Sequence, residues 1–188
     1  GFYLQNSSSI ISNSTFFNNI SDQRGGAFHV QSMDSVFVLS CHIFNNTAND
    51  RNGGASIETF DYLLVDSLDA HNNYGDQRNG GLYAGGGDNI KVLNSTFFQN
   101  TTDGDGAGLM LQNIDSILVS NSIFRENISD LEAAALYIAS SNNDIVNIID
   151  CQFINNTGRN YAGGCIHTAG EIKIQSSVID SNLADGGG

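Results

Sequence analysis

The sequence predicts an all-β fold, a right-handed parallel β-helix whose 188 residues coil into about seven stacked rungs with three short strands each. Three elements support this prediction, and they recur in the same order along the chain. They are a glycine-rich element, a β-branched run about ten residues later, and a segment with Phe followed three residues later by Asn. We interpret residues 1–188 as one domain built from this repeat.

The glycine-rich element opens each rung. It reads Gly-Gly-Ala-Phe from Gly25 and returns, in places degenerate, with starts at 53, 80, 106, 133 and 163, at spacings of 28, 27, 26, 27 and 30 residues. A near-constant period of this length indicates a solenoid. Helical repeats are disfavoured, because Gly, Asn, Ser and β-branched residues fill every segment.

The β-branched runs alternate apolar and polar side chains, as half-buried strands do. Ile90 and Val92 lie on the opposite face from Lys91, and Ile172 and Ile174 on the opposite face from Lys173. Each strand therefore has one apolar face that a single rung cannot bury. Stacked neighbours would supply both the core and the backbone hydrogen bonds.

The repeat resembles the polymorphic outer-membrane-protein repeat family, whose repeats combine a Gly-Gly-Ala-Ile-like element with a Phe-x-x-Asn element. The first element is found here at 25–28 and 163–166, and the second at 16–19, 97–100, 124–127 and 153–156. The similarity covers nearly the whole chain, although the rungs around 70–73 and 179–182 lack the Phe. The resemblance implies a cell-surface or secreted setting and a role in adhesion or surface structure, and it brings no catalytic residues.

Composition narrows the range of partners. The formal net charge is −13 and the chain has only seven Lys and Arg. This balance disfavours nucleic acid and anionic membrane surfaces as partners. No apolar run is long enough to insert into a membrane. The three cysteines, Cys41, Cys151 and Cys165, are expected to be buried free thiols.

The two ends of the sequence complement each other. Joined end to end, Gly187-Gly188-Gly1-Phe2-Tyr3-Leu4 repeats the pattern of residues 25–30. We therefore expect uncapped ends, with a rung that continues across residues 188 and 1. Either the polypeptide continues or copies stack head to tail along the axis through this interface.

Asparagine in the sequon Asn-x-Ser/Thr is a candidate for N-glycosylation, which requires an exposed acceptor in a secreted chain. A second interpretation is an internal ladder of stacked Asn side chains, which could not carry sugars. The eight sequon positions are Asn6, Asn13, Asn19, Asn45, Asn94, Asn100, Asn127 and Asn155.

Two further columns are candidate binding surfaces. Asp22, Asp50 and Asp76 precede arginines in successive turns, and stacked carboxylates could hold Ca²⁺, although Asp–Arg pairing between adjacent turns on a solvated face is the favoured explanation. No other cofactor is expected. The outward face of the first strand forms a possible ligand stripe, suited to sugar rings or to plain side-chain stacking. Its residues are Tyr3, His29, Tyr83, Met110, Tyr137 and His167.

These patterns predict an extracellular or cell-surface structural protein, a glycosylated β-helix segment that stacks along its axis. A cell-surface adhesin or carbohydrate-binding stalk is the alternative, followed by a polysaccharide lyase or hydrolase. We do not predict an enzyme, because the four histidines fall in different columns and polar residues repeat instead of forming one singular cluster.

Overall fold

The computed structural model describes residues 1–5, 8–139, 145–159, 164–168 and 171–185. Within these ranges all regular secondary structure is β-strand, and every strand pair is parallel. Each rung contributes to three sheets, and the second and third sheets contain seven strands each. The described ranges contain no helix with the length and hydropathy needed to cross a membrane.

The first sheet is formed by the long side of each rung. It consists of β1 (Phe2–Gln5), β2 (Ser9–Ser12), β5 (Phe28–Leu39), β8 (Ala55–Asp66), β11 (Leu82–Leu93), β14 (Leu109–Ser120), β17 (Leu136–Ala139), β18 (Ile145–Ile149), β21 (Ile166–Thr168) and β22 (Ile172–Gln175).

The other two sheets are formed by short strands. The second sheet consists of β3 (Thr15–Phe17), β6 (His42–Phe44), β9 (Asp69–His71), β12 (Thr96–Phe98), β15 (Ile123–Arg125), β19 (Gln152–Ile154) and β23 (Val178–Asp180). The third sheet consists of β4 (Ile20–Ser21), β7 (Thr47–Ala48), β10 (Tyr74–Gly75), β13 (Thr101–Thr102), β16 (Ile128–Ser129), β20 (Thr157–Gly158) and β24 (Leu183–Ala184).

The division of each rung into strands differs from the expectation. The glycine-rich element and the β-branched run belong to one twelve-residue strand in β5, β8, β11 and β14. A left-handed residue bends each of these strands without ending it: Ser32, Thr59, Gly86 or Asn113, with φ of 57°, 57°, 69° and 52°. The third strand of each rung is the two-residue strand of the third sheet, which is too short to show an apolar pattern in the sequence.

From β2 to β17 the period is 27 residues, and the β1–β5 pair has an offset of 26. Phe28 pairs with Ala55, and Arg24 pairs with Arg51, so Gly25 aligns with Asn52 and not with Gly53. The alignment by glycine pairs was therefore wrong by one residue. The reason is that the aligned position is left-handed, with φ of 63° at Gly25 and 61° at Asn52, and both Gly and Asn tolerate this conformation.

Inward-facing side chains form apolar columns along the axis. Phe97, Phe124 and Phe153 are fully buried and stack with ring centroids 5.0 and 4.9 Å apart. The predicted alternation is confirmed at Ile90 and Val92, which are buried on either side of an exposed lysine. The three cysteines are buried and free, as predicted.

Adjacent rungs approach most closely at the glycine-rich element. A Cβ added to Gly54 would lie 2.2 Å from the carbonyl oxygen of Gly81 in the next rung. The glycine at this position is required because no side chain fits between the two backbones.

Candidate functional site

The residues of the predicted ligand stripe lie in one outward column of the first sheet. The rings of Tyr3 and His29 stack at 5.3 Å, and those of Tyr137 and His167 at 4.8 Å. Between these pairs the stripe is interrupted, because Met110 is buried. In order along the axis the column contains Tyr3, His29, Ser56, Tyr83, Met110, Tyr137 and His167.

Beside this stripe runs a column of three arginines from successive turns. Backbone bridges align Arg24 with Arg51 and Arg51 with Arg78. Arg24 forms an ion pair with Glu58 at 2.7 Å, and Arg51 Nε lies 3.4 Å from Asp50. Within the described residues, Arg78 makes no ion pair or side-chain hydrogen bond. The Arg51–Asp50 pair lies within one turn, so in the part of the chain that the structure describes the predicted Asp–Arg pairing between adjacent turns is not found at these three arginines; it is present at Arg159, which pairs with Asp130.

A groove separates the arginine column from the stripe. Its first section, beside Tyr3, His29 and Arg24, has a volume of about 860 Å³. A second section of about 250 Å³ lies further along the axis. This second cavity is lined by Arg24, Arg51, Asn52, Glu58, Arg78, Tyr83 and Gln112.

The wall of the second cavity is held by a hydrogen-bond network. Asn52 Nδ2 donates to Ser56 Oγ at 3.0 Å, and this hydroxyl donates to Glu58 Oε1 at 3.1 Å. On the other side Tyr83 Oη donates to Gln112 Oε1 at 3.0 Å. These bonds fix the side chains before any ligand arrives, and such preorganisation favours binding.

Burial raises the pKa of Tyr83, and the charge of Glu58 adds to this effect. The charges of Arg24, Arg51 and Arg78 act in the opposite direction, which places all three guanidinium groups within electrostatic reach of this phenol. Burial also lowers the pKa of His29, so its imidazole stays neutral to a lower pH than an exposed histidine.

A ladder of asparagine side chains closes the turn between the second and third sheets. Asn73 Nδ2 donates to Asn100 Oδ1 at 3.0 Å, and Asn100 Nδ2 donates to Asn127 Oδ1 at 3.1 Å. The backbone N–H of each residue donates to the same oxygen of the next. The ladder runs through all seven rungs and contains Asn19, Asn46, Asn73, Asn100, Asn127, Asn156 and Asn182.

The ladder excludes two of the glycosylation candidates. Asn100 and Asn127 are fully buried, and their amides donate and accept within the ladder, so neither can carry a sugar in the folded chain. Asn19 is a partly exposed ladder member that donates to Asn46. Asn6 lies outside the described residues. The exposed sequon positions are Asn13, Asn45, Asn94 and Asn155.

The predicted acidic turns do not converge on one point. Tyr74 Oη donates to Asp76 at 3.2 Å and to Asp103 at 3.1 Å, and Arg159 pairs with Asp130 at 2.7 Å. In the part of the chain that the structure describes, no group of three or more His, Cys, Asp and Glu side chains could hold a metal ion.

At the predicted axial interface, the interior is open at both ends of the described stack. Phe2 and Leu4 are half-buried in the first rung, whereas Phe28 and Val30 beneath them are fully buried. In the last rung Ile179 is 53% exposed. Gly1 and Tyr3 also belong to the first rung, and Gly187 and Gly188 lie outside the described residues.

Sequence reasoning missed a stack on the outer face of the second sheet. The rings of Phe44, His71 and Phe98 follow one another at 5.0 and 4.4 Å, and Phe17 precedes them. The guanidinium carbon of Arg125 lies 4.2 Å from the Phe98 ring centroid. The strict 27-residue spacing of the four ring residues was the signal in the sequence that could have predicted this stack. Sequence reasoning placed the arginines and Tyr83 of the second cavity in two separate columns and missed Glu58 and Gln112, whose types do not repeat from rung to rung.

A family model described as a right-handed β-helix region matches residues 1–183. This match confirms the predicted fold class, including its hand. No similar curated protein and no similar solved structure was found. The narrower resemblance to the polymorphic outer-membrane-protein repeats stays a prediction. Right-handed β-helices include polysaccharide-degrading enzymes as well as proteins without catalytic activity, so the fold leaves both possible.

Proposed function

Because this chain belongs to the right-handed β-helix family, we propose that it is an extracellular structural solenoid, a segment of a fibre or surface layer in which further rungs continue the stack along the axis. The observation that carries this proposal is the apolar interior exposed on both terminal rungs. Such a surface is stabilised when another rung covers it. We further propose that the segment is not an enzyme, since its polar residues repeat from rung to rung.

The inward columns support axial stacking. Ile179 continues the column of Phe153, which is fully buried one rung earlier. Ile174, 41% exposed, continues the column of the buried Ile148 in the same way. Each terminal side chain would gain on the order of 1–2 kcal/mol from full burial. A second copy that presents its first rung, with the half-buried Phe2, would supply this cover.

Sedimentation velocity over a range of concentrations tests head-to-tail assembly. Wild-type chains should form rods that lengthen in steps of about 34 Å, seven rungs at about 4.8 Å each, visible by negative-stain electron microscopy. Ile179→Lys should block assembly, since it places a charge in the interface. Ile145→Lys is the matched control, because Ile145 is 64% exposed and lies in the rung before the last, whose strand β18 is already paired on both sides. A monomer at all concentrations would refute self-assembly.

Glycans on the exposed sequons are part of the same proposal. Asn13, Asn45, Asn94 and Asn155 lie at outward turn positions with φ between 48° and 55°. Expression through a eukaryotic secretory pathway, followed by peptide mass spectrometry, should detect glycans at these positions and none at Asn100. A glycan at Asn100 in the folded protein would contradict the ladder.

A carbohydrate-binding stalk is the second candidate function, and the groove beside the first sheet favours it. The stacked Tyr3–His29 pair offers a flat surface suited to a sugar ring, next to the polar side chains of Arg24 and Gln31. Tyr3→Ala should weaken retention on a glycan array if this groove binds sugars. Equal retention of the wild type and Tyr3→Ala would count against carbohydrate binding in this groove.

A further inference from the structure

We propose that the second cavity of the groove binds an oxyanion, a sulfate or carboxylate group, between the guanidinium groups of Arg51 and Arg78. This proposal rests on the second candidate function, carbohydrate binding, and names the chemical class of the ligand. Binding of the anion does not depend on axial assembly.

The distribution of charge points to an anion. The chain has 20 Asp and Glu against seven Lys and Arg, yet three of the seven cations line this one cavity. Neighbouring rungs are about 4.8 Å apart, so the guanidinium groups repel one another unless negative charge lies between them. Glu58 compensates Arg24 through a 2.7 Å ion pair.

Arg51 and Arg78 lack equivalent compensation. Within the described residues Arg51 has one ion-pair partner, Asp50, whose carboxylate lies 3.4 Å from Nε. That contact is not aligned as a hydrogen bond, because Nε is buried and has no hydrogen-bond partner within the described residues. Arg78 makes no side-chain hydrogen bond there either. A bound oxyanion would accept hydrogen bonds from both arginines. The planar guanidinium group can donate two parallel hydrogen bonds to the oxygens of a carboxylate or a sulfate.

Asn52 is a buried part of the cavity wall. It is 3% exposed, its Nδ2 donates to Ser56, and its Oδ1 is buried without a hydrogen-bond partner within the described residues, so it shapes the cavity without offering the ligand an accessible acceptor. The larger groove section beside Tyr3 and His29 extends the site along the axis. The anionic group could therefore be free in solution or attached to a saccharide chain.

The arginine Nε–H resonances in a ¹⁵N–¹H correlation spectrum report directly on this site. The chain has five arginines, and single Arg→Gln variants assign each signal. Titration with sodium sulfate at constant ionic strength should shift the Arg51 and Arg78 signals to saturation and leave Arg125 and Arg159 in place. Linear shifts of all five signals, or no shifts, would overturn the proposal.

Arg78→Gln is the decisive variant, because Arg78 is exposed and its side chain makes no hydrogen bond within the described residues, so folding should be retained. It should weaken sulfate binding at the Arg51 signal by about tenfold, equivalent to about 1.4 kcal/mol. Arg125→Gln, on the second sheet, is the matched control and should leave the affinity unchanged. Equal affinities of the two variants would also overturn the proposal.

Two saccharide probes distinguish the sources of the anion. A sulfated tetrasaccharide that binds more tightly than free sulfate, with its unsulfated counterpart failing to bind, would identify a saccharide-borne group. Equal affinity of the tetrasaccharide and free sulfate would identify the free anion. Sedimentation of the same samples separates these results from axial assembly, because the cavity does not lie at a terminal rung.

Discussion

Substitution of Asn100 by alanine tests the asparagine ladder as the principal polar stabiliser of the stack. The Asn100 oxygen accepts from the backbone N–H of Asn73 at 3.1 Å and from its side-chain amide at 3.0 Å. Alanine would leave the buried backbone N–H of Asn73 without a partner and would leave one of the two Nδ2 hydrogens unpaired, since the other still donates to the Ile43 carbonyl. An unsatisfied buried donor costs about 1–3 kcal/mol, so Asn100→Ala should lower the free energy of unfolding by about 2–6 kcal/mol.

Urea unfolding followed by circular dichroism measures this loss. Asn89→Ala is the matched control, since Asn89 is exposed, lies in the same rung and makes no side-chain hydrogen bond within the described residues; it should change stability by less than about 0.5 kcal/mol. Asn100→Asp should be more stable at acidic pH than at neutral pH, because burial favours the protonated carboxyl. A loss below about 1 kcal/mol for Asn100→Ala would refute the reasoning.

Three further predictions concern packing and ionisation. Phe97→Ala should lower the free energy of unfolding by about 3–5 kcal/mol, and Phe98→Ala, on the outer face, by clearly less; urea unfolding that finds the two equal would contradict the inward column. Gly54→Ala should destabilise the chain more than Gly86→Ala, which thermal unfolding can compare. The nearest atom to an added Cβ is a backbone oxygen 2.2 Å away at Gly54, whereas at Gly86 it is 3.8 Å away and the cost is limited to the strain of a φ of 69°, a conformation that Ser32, Thr59 and Asn113 adopt in the other rungs. Burial and hydrogen bonds to two carboxylates raise the pKa of Tyr74 to about 12. The stability that this tyrosine contributes should therefore be lost as pH rises from about 10 through about 12. In a pH titration of tyrosinate absorbance, Tyr74→Phe should remove the step that occurs at the highest pH.

The fold was predictable from sequence because, in a solenoid, equivalent residues of successive rungs occupy the same environment and the same pattern recurs along the chain. Alternation in two separate runs, 90–92 and 172–174, located the interior face, and the structure buries Ile90 and Val92 as expected. What failed was the register of the glycine-rich element. Sequence comparison matches residue types, whereas the left-handed position at Gly25 and Asn52 requires only a backbone conformation that either residue can adopt.

The candidate site was predictable only in part. The residues from Tyr3 to His167 share one column in the strand register, although Met110 in this column is buried, and their role as a ligand stripe stays a prediction. The cavity beside it depends on how far Arg51 and Arg78 extend over that face, and on a glutamate and a glutamine two residues beyond the stripe. Such distances between a turn and a strand face are set by the bend of the backbone, which composition and spacing do not encode.

Length variation along the chain separates a structural side of the solenoid from a variable one. Successive ladder residues are 27 residues apart up to Asn127, then 29 to Asn156 and 26 to Asn182, yet their side-chain hydrogen bonds stay between 2.8 and 3.1 Å. The changes in length fall between Ala139 and Ile145, between Arg159 and Gly164, and between Thr168 and Ile172.

Each of these changes lies next to a strand of the first sheet along the chain, and none interrupts a strand of the second or third sheet. A residue inserted into the ladder side would break several buried hydrogen bonds at once, whereas one inserted beside the first sheet breaks none of them. The groove therefore lies where the chain can change length without loss of the stack. That is the side on which we expect this solenoid to carry its binding specificity.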